Sequence, residues 1–306
     1  MGTPDFAVTI LDRLVQNNLS IVGVITAPDK PAGRGQQISE SAVKKYAVSK
    51  EFNILQPTNL KDETFINELQ ALNADLFVVV AFRMLPEIVW AMPAKGTINL
   101  HGSILPNYRG AAPINWAVIN GEKETGVTTF FIEKEIDTGK IIERESIAIG
   151  ENETAGELHD RLMELGAELT FKTVTKIINN DVVGIPQLEL TEGELKPAPK
   201  IFKPDCKIDW TKDVQTVHNF IRGLSPYPTA WTILEKDGEQ KSFKIFQSEK
   251  TEIPTHGVIN LYNDKDGIYV PCQDFFLKVT ELQPEGKRRM NFKEFVAGHP
   301  VSSFNI

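Results

Sequence analysis

The sequence has very little cysteine. Its 306 residues include only Cys206 and Cys272, too few for a disulfide framework and too far apart for a zinc knuckle. The five histidines are scattered, and no two of them have the spacing of paired metal ligands. We therefore expect no metal site, and the low cysteine content favours a reducing cytoplasm.

Long apolar runs and excess positive charge are also absent. No run approaches the roughly 18 apolar residues that cross a bilayer, and residues 1–5 do not resemble a basic and then apolar leader. We expect neither secretion nor a membrane span. The net charge is -8, from 33 Lys and Arg against 41 Asp and Glu, so a nucleic-acid partner would have to meet a local basic patch. Nearly all of the net negative charge lies before residue 204.

Apolar residues in the first hundred positions alternate between helical and strand spacing. The predicted helices cover about residues 7–15, 61–72 and 86–90, and the predicted strands cover residues 19–26, 76–81 and 96–100. Helices that alternate with apolar strands predict a parallel sheet with both faces covered.

The pattern changes after Gly126. Residues 127–132 and 139–147 are predicted strands, and a helix is expected over residues 154–179, with Thr154 and Glu157 at capping-box spacing. A stretch with five prolines follows, and short strands then alternate with Gly and Asp turns, which favours a small β-barrel. These barrel strands are predicted near residues 229–234, 243–247, 257–262, 267–270 and 275–282.

The start of this pattern predicts a strand before the first helix. Gly2-Thr3-Pro4-Asp5 is typical of the tight turn between a strand and a helix, and only Met1 precedes it. One hypothesis is that the natural chain begins upstream with a first strand of roughly six residues. The alternative is a fold that begins with a helix.

Three polar residues are candidates for catalysis. Strand period places Asn99 and His101 on one face of the strand that ends near residue 101, and Asp137 lies in an Asp-Thr-Gly turn. Separately, each residue is also typical of structural roles at strand ends and turns. Together, a carboxylate can orient an imidazole while an amide donates to a developing oxyanion.

Two segments offer positive charge. Arg34 lies between two glycines in a loop over residues 29–37, and Lys287-Arg288-Arg289 follows a Pro-Glu-Gly turn. With lysines of the proline-rich stretch, such as Lys200, the second segment could form a phosphate-facing stripe, although both segments are also typical of solvated surface. Neither the dinucleotide fingerprint nor the P-loop pattern occurs.

The motifs Asn99-x-His101-Gly102-Ser103, Tyr108-Arg109-Gly110 and Ile136-Asp137-Thr138-Gly139 resemble enzymes that use 10-formyltetrahydrofolate. Further motifs extend the similarity over nearly the whole chain, among them Gly2-Thr3-Pro4-Asp5-Phe6, Ala198-Pro199-Lys200-Ile201 and Ile208-Asp209-Trp210. Together they resemble the methionyl-tRNA formyltransferase family.

This resemblance implies an α/β fold: a Rossmann-like formyltransferase domain with a parallel sheet, followed by a small C-terminal OB-like β-barrel domain. We predict the domains as residues 1–188 and 204–306, joined by a linker over 189–203. The implied substrates are methionyl initiator tRNA and 10-formyltetrahydrofolate, without a metal or a membrane, and we expect a monomer in the cytoplasm.

The resemblance also assigns residues to roles. The catalytic residues carry over as Asn99, His101 and Asp137. The folate-contacting residues carry over as Ser103, Ile104, Leu105 and Pro106. The predicted tRNA contacts are Lys30, Arg34, Lys200, Lys287 and Arg288. Arg83 stands where many relatives have a small residue near the folate pocket, and the upstream strand of the family is absent here.

Two other functions remain open at this stage. The same catalytic residues could formylate a small amine, such as glycinamide ribonucleotide or an amino sugar. A catalytically silent RNA-binding module would show salt-dependent RNA affinity without formyl transfer, which the net charge of -8 disfavours.

Overall fold

The computed structural model describes residues 1–32, 37–191, 193–236, 238–258, 260–299, 301 and 304. The chain divides into two compact units. The first unit comprises residues 1–110, 126–147 and 160–197, and the second comprises residues 111–125, 148–159 and 198–306. The predicted domain boundaries stay a prediction.

The helices are α1 (Asp5–Gln16), α2 (Ala42–Ser49), α3 (Glu63–Ala71), α4 (Glu87–Trp90), α5 (Pro113–Ile119), α6 (Ala155–Ile178), α7 (Val214–Leu224) and α8 (Phe292–Gly298). Short 3-10 helices cover Gln187–Leu190 and Lys203–Cys206. The strands up to residue 148 are β1 (Val24–Ile25), β2 (Lys30–Ala32), β3 (Gln37–Ser39), β4 (Ile54–Leu55), β5 (Phe77–Val80), β6 (Thr97–His101), β7 (Arg109–Gly110), β8 (Glu124–Phe131) and β9 (Ile141–Ala148). The later strands are β10 (Pro197–Ala198), β11 (Ala230–Lys236), β12 (Glu239–Pro254), β13 (Tyr262–Asn263), β14 (Ile268–Pro271), β15 (Phe275–Pro284) and β16 (Met290–Asn291).

The main sheet of the first unit has the strand order β5-β6-β8-β9. Strand β5 runs parallel to β6, with Val79 opposite Asn99, and β6 runs antiparallel to β8, with His101 opposite Thr128. The parallel arrangement predicted for the early strands is confirmed for β5 and β6 and for the separate pair β1 and β4. The sheet as a whole is mixed, since β8 runs against β6.

The predicted strand over residues 19–26 forms only at β1. Met1 and Gly2 lie between β1 and β5: the Gly2 amide donates to the Ile25 carbonyl at 3.0 Å, and the Val80 amide donates to the Met1 carbonyl at 2.9 Å. A side chain at position 2 would collide with Ala7, since an added Cβ would stand 2.4 Å from the Ala7 Cβ. An apolar cavity of about 340 Å³ lies beside Met1. The upstream strand stays a prediction.

Helix α2 begins at Ala42, after the basic loop predicted over residues 29–37. The Ser41 hydroxyl accepts from the Lys44 amide at 3.0 Å and caps the helix. Lys44 forms ion pairs with Asp29 and, at 2.8 Å, with Glu40. Its charge is therefore compensated rather than free for a polyanion.

The second unit contains an antiparallel sheet with strand order β11-β12-β15-β14-β13, and β16 pairs with β15. Helix α7 supplies Val217, Ile221 and Leu224 to its apolar core, beside Phe243 and Leu277. Among the described residues the strand pairings form an open path, so the closed OB-like barrel stays a prediction. The short strands predicted near residues 229–234, 243–247, 267–270 and 275–282 are confirmed, and the structure shows that they pair antiparallel.

The strand predicted over residues 257–262 is wrong in its position. The Val258 amide donates to the Thr255 carbonyl at 2.8 Å, and Gly257 has a φ of +79°, so the chain makes a tight turn there. Strand β13 begins only at Tyr262.

Candidate active site

Strand β6 ends at the centre of the candidate site. Asn99 is half-buried, and two residues later His101 has only 7% of its surface exposed. Alternation along a strand places both side chains on the same face of the sheet. Because β5 and β6 are parallel neighbours, their carboxyl ends meet at one sheet edge, which is where α/β folds ordinarily bind ligands.

The two ring nitrogens of His101 have different surroundings. Nε2 lies 2.7 Å from the carbonyl oxygen of Tyr108. A carbonyl only accepts hydrogen bonds, so Nε2 is the nitrogen that carries the proton and donates. Nδ1 faces Asp137, with 3.9 Å between Nδ1 and Oδ2. This arrangement leaves Nδ1 as the ring atom able to exchange a proton with a bound molecule.

The side chain of Asp137 accepts a hydrogen bond, and its backbone adopts an unusual conformation. Its Oδ2 accepts from the Gly110 amide at 3.1 Å, and its φ of +55° lies in the left-handed region. Only 12% of its side chain is exposed. The sequence predicted a turn at Asp137-Thr138-Gly139, and the structure brings this turn beside His101, some 36 positions earlier in the chain.

The segment from Ser103 to Pro106, predicted to contact folate, is tied to β8. The Thr128 hydroxyl donates to the Ser103 carbonyl at 2.7 Å and accepts from the Leu105 amide at 3.1 Å. Ser103 and Leu105 are fully buried, Pro106 is buried, and Ile104 is half-buried. The side chain of Ile104 is therefore the most accessible of the four, and the folate contacts stay a prediction.

A surface cavity of about 730 Å³ follows β5. Its lining includes Met84, Leu85 and Ile88, of which Met84 is 71% exposed. Arg83 also lines it, and its guanidinium donates to the carbonyls of Pro57 and Thr58. The guanidinium is thus anchored on the segment that follows β4, so Arg83 forms part of the cavity wall.

Sequence reasoning missed Gln187 at this site. Its side-chain amide donates to the carbonyls of Asp137 and Gly139, and its Oε1 accepts from the Arg109 guanidinium. Only 3% of Gln187 is exposed. It lies in the proline-rich stretch, two residues before the linker predicted over 189–203, where no periodic pattern indicated a buried side chain.

The predicted tRNA contacts divide between the two units. Lys30 is exposed on β2 of the first unit, and Arg34 falls outside the described residues. In the second unit Lys200 lies over the Phe202 ring at 5.2 Å, and Lys287 is exposed. Arg288 is also exposed but pairs with Glu294 at 2.6 Å, so part of its charge is already compensated.

Two features are absent from the described part of the chain. It contains no cluster of three or more His, Cys, Asp or Glu side chains placed to hold a metal ion. None of its helices is both long and apolar enough to span a bilayer.

Family models match both parts of the chain. Residues 1–174 match the formyl transferase family, and residues 200–300 match the formyl transferase C-terminal domain. The methionyl-tRNA formyltransferase of Flavobacterium johnsoniae is 52% identical over 299 residues, which cover 97% of this chain and 94% of that protein. The enzyme of the same name from Bacteroides thetaiotaomicron is 51% identical over 308 residues, covering 99% and 95%.

Solved structures show the same fold at low identity. The sugar 3N-formyl transferase WlaRD, crystallised with dTDP and 5-N-formyl-THF, aligns with a TM-score of 0.66 and 23% identity over 94% of this chain and 97% of that chain. HypX from Aquifex aeolicus, in complex with tetrahydrofolic acid, aligns with a TM-score of 0.59 and 18% identity over 81% of this chain and 43% of that chain.

Proposed function

The chain belongs to the methionyl-tRNA formyltransferase family, and we propose that it transfers the formyl group of 10-formyltetrahydrofolate to the α-amine of methionyl initiator tRNA. The observation that carries this proposal is His101, at the end of β6, facing Asp137 across 3.9 Å with Asn99 on the same strand face. A His, a carboxylate and an amide at one sheet edge provide a proton carrier, its orienting anion and an oxyanion donor.

In the proposed reaction the neutral methionyl amine attacks the formyl carbon and forms a tetrahedral species with negative charge on oxygen. Asn99 donates a hydrogen bond to that oxygen, and a protonated His101 stabilises the charge. The bond from the formyl carbon to the folate N10 then breaks, and the proton lost by the amine passes to N10. His101 Nδ1 carries protons in this exchange, while Asp137 stabilises the imidazolium.

The fixed geometry of the site supports rapid transfer. Holding an amine beside a formyl group replaces a bimolecular encounter, and such proximity accounts for about 7 to 11 kcal/mol in well-oriented reactions. The buried segment from Ser103 to Leu105 is fastened to β8 by the Thr128 hydroxyl. We propose that this segment and the cavity lined by Met84 and Ile88 hold the folate, because both follow parallel strands at one sheet edge.

We propose that tRNA is bound by Lys30, Arg34, Lys200, Lys287 and Arg288. Exposed cations attract phosphates whatever the nucleotide sequence, and Lys30, Lys200, Lys287 and Arg288 are exposed.

The proposed organisation is a formyltransferase domain over 1–188, a linker over 189–203 and an OB-like tRNA-binding domain over 204–306. Because its proposed substrates are a charged tRNA and a folate, we propose that the protein acts in the cytoplasm. We also propose that it is a monomer.

The decisive experiment is a formyl-transfer assay with 10-formyltetrahydrofolate as donor. Methionyl initiator tRNA, glycinamide ribonucleotide and a dTDP-linked amino sugar are offered as separate acceptors, and we expect transfer to the tRNA alone. Transfer only to a small amine would retain the catalytic residues and contradict the tRNA substrate. Salt-dependent RNA binding without transfer to any acceptor would indicate a binding module.

One variant tests whether Arg34 contributes to the binding of tRNA and not to the binding of the folate. Arg34→Ala is expected to raise the KM for tRNA and to leave the dissociation constant of the folate unchanged, because the proposed role of Arg34 is a phosphate contact. An equal loss of affinity for both substrates would contradict that role. The matched control is Lys45→Ala, since Lys45 is also a cation near the loop but is not among the proposed tRNA contacts.

The sugar-amine reaction is the second candidate. WlaRD, which bears the name of such an enzyme, shares the fold over nearly the full length of both chains. At 23% identity this likeness shows the fold alone, whereas relatives at 51–53% identity bear the tRNA enzyme's name.

A further inference from the structure

Gln187 uses its whole side-chain amide to join two loops of the first unit. Nε2 donates to the carbonyl oxygens of Asp137 at 2.9 Å and Gly139 at 2.8 Å. Oε1 accepts from Arg109 Nε at 3.0 Å and from Nη2 at 2.6 Å. A carboxamide offers two N–H donors and two acceptor positions, so no hydrogen-bonding capacity of this buried side chain remains for a substrate.

The loop of Arg109 also contacts both members of the catalytic pair. The residue before Arg109, Tyr108, accepts the hydrogen bond from His101 Nε2, and the residue after it, Gly110, donates to Asp137 Oδ2. A closed ring of contacts therefore runs from His101 through the Tyr108–Gly110 segment to Gln187 and Asp137. The ring closes across the 3.9 Å that separates Asp137 Oδ2 from His101 Nδ1.

Both loops adopt backbone conformations that need external support. Asp137 and Tyr108 have φ values of +55° and +61°, in the left-handed region that residues with a side chain rarely adopt. Such conformations persist where surrounding contacts hold them. Gln187 donates to the Asp137 carbonyl itself and to the carbonyl two residues later, and thus acts directly on the unfavourable backbone.

We propose that Gln187 is a positioning residue that sets the distance and direction of Asp137 relative to His101. This inference rests on the proposed function, in which that pair moves the proton and stabilises charge. The hydrogen bonds of Gln187 reach the backbone carbonyl of Asp137, and not its carboxylate or the His101 ring. Its effect passes through Asp137, and a displacement of about 1 Å at a catalytic group can cost about 100-fold in rate.

Two substitutions remove the hydrogen bonds that Gln187 donates to Asp137 and Gly139, and one of the two retains the acceptor for Arg109. Gln187→Glu retains an acceptor for Arg109 but has no N–H for the carbonyls of Asp137 and Gly139. Gln187→Met has similar length and supplies neither. We expect both variants to lower the single-turnover rate at saturating substrates by about 10-fold or more. This is smaller than the loss of about 100-fold that a displacement of about 1 Å can cause. The dissociation constant of the folate is expected to change less than about twofold.

Glu189→Gln is the matched control, because Glu189 is an exposed residue of the same 3-10 turn. We expect it to retain the wild-type rate. Loss of folate affinity in parallel with rate in the Gln187 variants would indicate general damage to the site and would overturn the inference.

A double variant tests whether the effect passes through Asp137. In an Asp137→Ala background, Gln187→Met is expected to lower the rate by less than about twofold more, since residues that act as one unit are not additive. Two independent losses that multiply would overturn the proposal.

A measurement without substrates distinguishes failure of this inference from failure of the proposed function. NMR of the uniformly nitrogen-labelled full chain reports the ring nitrogens of His101 directly. Gln187→Met is expected to shift the His101 Nδ1 and Nε2 signals, and Glu189→Gln is expected to leave them in place. Unchanged His101 signals in Gln187→Met would overturn the positioning role whichever amine the enzyme formylates.

Discussion

At the scale of single residues, His101 is already fixed at one nitrogen and open at the other. The Tyr108 carbonyl at 2.7 Å holds Nε2, which orients the ring and leaves Nδ1 towards Asp137. In the proposed reaction Asn99 and a protonated His101 both stabilise the negative charge on oxygen. Because Nε2 is committed to a carbonyl, we propose that Asn99 makes the larger share of the direct hydrogen bonding to the oxyanion and that His101 Nδ1 transfers the proton.

Substitution of the catalytic pair tests these roles. We expect His101→Ala or Asp137→Ala to lower turnover by at least about 100-fold, a typical contribution of a general acid or base. The measurement is steady-state formyl transfer, with unfolding temperature as a check on folding. His256→Ala, which alters an exposed histidine of the second unit, serves as the control. Near-normal turnover in both catalytic variants would contradict the assignment.

His218 illustrates a titratable residue with a structural effect. It is 1% exposed on α7, and its Nδ1 lies 3.0 Å from the Ser248 hydroxyl. Burial, together with the nearby charges of Arg222 and Lys250, lowers the pKa of His218 to about 4. The folded chain therefore keeps this ring neutral through most of the acidic range in which an unfolded chain protonates it.

The stability of the protein should follow this difference. Between about pH 6.5 and about pH 4 the unfolded chain binds a proton at His218 that the folded chain does not, so the free energy of unfolding falls as the pH falls, by up to about 3 kcal/mol. Urea unfolding across that range measures it. We expect His218→Gln to reduce this pH dependence and His256→Gln to leave it intact. An identical acid loss in wild type and His218→Gln would contradict the assignment.

At the scale of elements, capping residues in the sequence mark where helices begin. The capping box expected at Thr154 and Glu157 is confirmed: the Glu157 amide donates to the Thr154 hydroxyl at 3.2 Å, and the Thr154 amide donates to the Glu157 carboxylate at 2.8 Å. Helix α7 was missed, although Val214, Val217, Ile221 and Leu224 have helical spacing and Asp213 stands in the capping position. The surrounding strand signals obscured it.

The cap of α7 supports a test of stability. Asp213 accepts from the Thr216 amide at 2.9 Å, and the side-chain and backbone bonds of Thr216 lower the pKa of Asp213. We expect Asp213→Ala to lower the free energy of unfolding by about 1 kcal/mol near neutral pH, the usual cost of losing a cap. Asp213→Asn keeps an acceptor and should cost less. Equal losses in the two variants, measured by urea unfolding, would contradict a capping role.

At the scale of the whole molecule, the two units interleave along the sequence. Residues 111–125 and 148–159 belong to the second unit, where Arg222 donates to the Glu153 carbonyl and Asn115 donates to the Gly223 carbonyl, at 2.9 Å and 2.8 Å. Deletion of residues 204–306 would remove these partners. Comparison of acceptors with the full chain is therefore a cleaner test of substrate than truncation.

Net charge sets another expectation at this scale. A molecule with a charge of -8 binds a polyanion only where local cations outweigh the general repulsion. We expect Lys287→Ala to reduce the salt dependence of tRNA binding by about one unit of slope. Arg288→Ala should have a smaller effect, because Glu294 at 2.6 Å already compensates its charge.

Filter binding at several salt concentrations measures these slopes. Lys265→Ala, an exposed lysine in a turn of the same unit, is the control and should retain the wild-type slope. Equal slopes in all three variants would contradict a phosphate contact at Lys287.

The sequence by itself determined the family, the alternation of helices and parallel strands, the succession of short strands in the second half and the identity of Asn99, His101 and Asp137 as candidates. Periodicity, caps and turn residues are local, and they act through the nearest few positions of the chain. Motifs such as Asn99-x-His101-Gly102 are local as well. Each of these features could therefore be found without coordinates.

Only the tertiary structure decided which ring nitrogen of His101 faces Asp137, that Arg83 is anchored on the 57–58 carbonyls, and that Gln187 joins the loops of Arg109 and Asp137. These contacts connect positions separated by about 25 to 80 residues in the chain. Their formation depends on how strands are paired and loops are packed, and no short sequence window contains both partners. For the same reason, the sequence alone does not show whether a glutamine in a proline-rich stretch is buried or exposed to solvent.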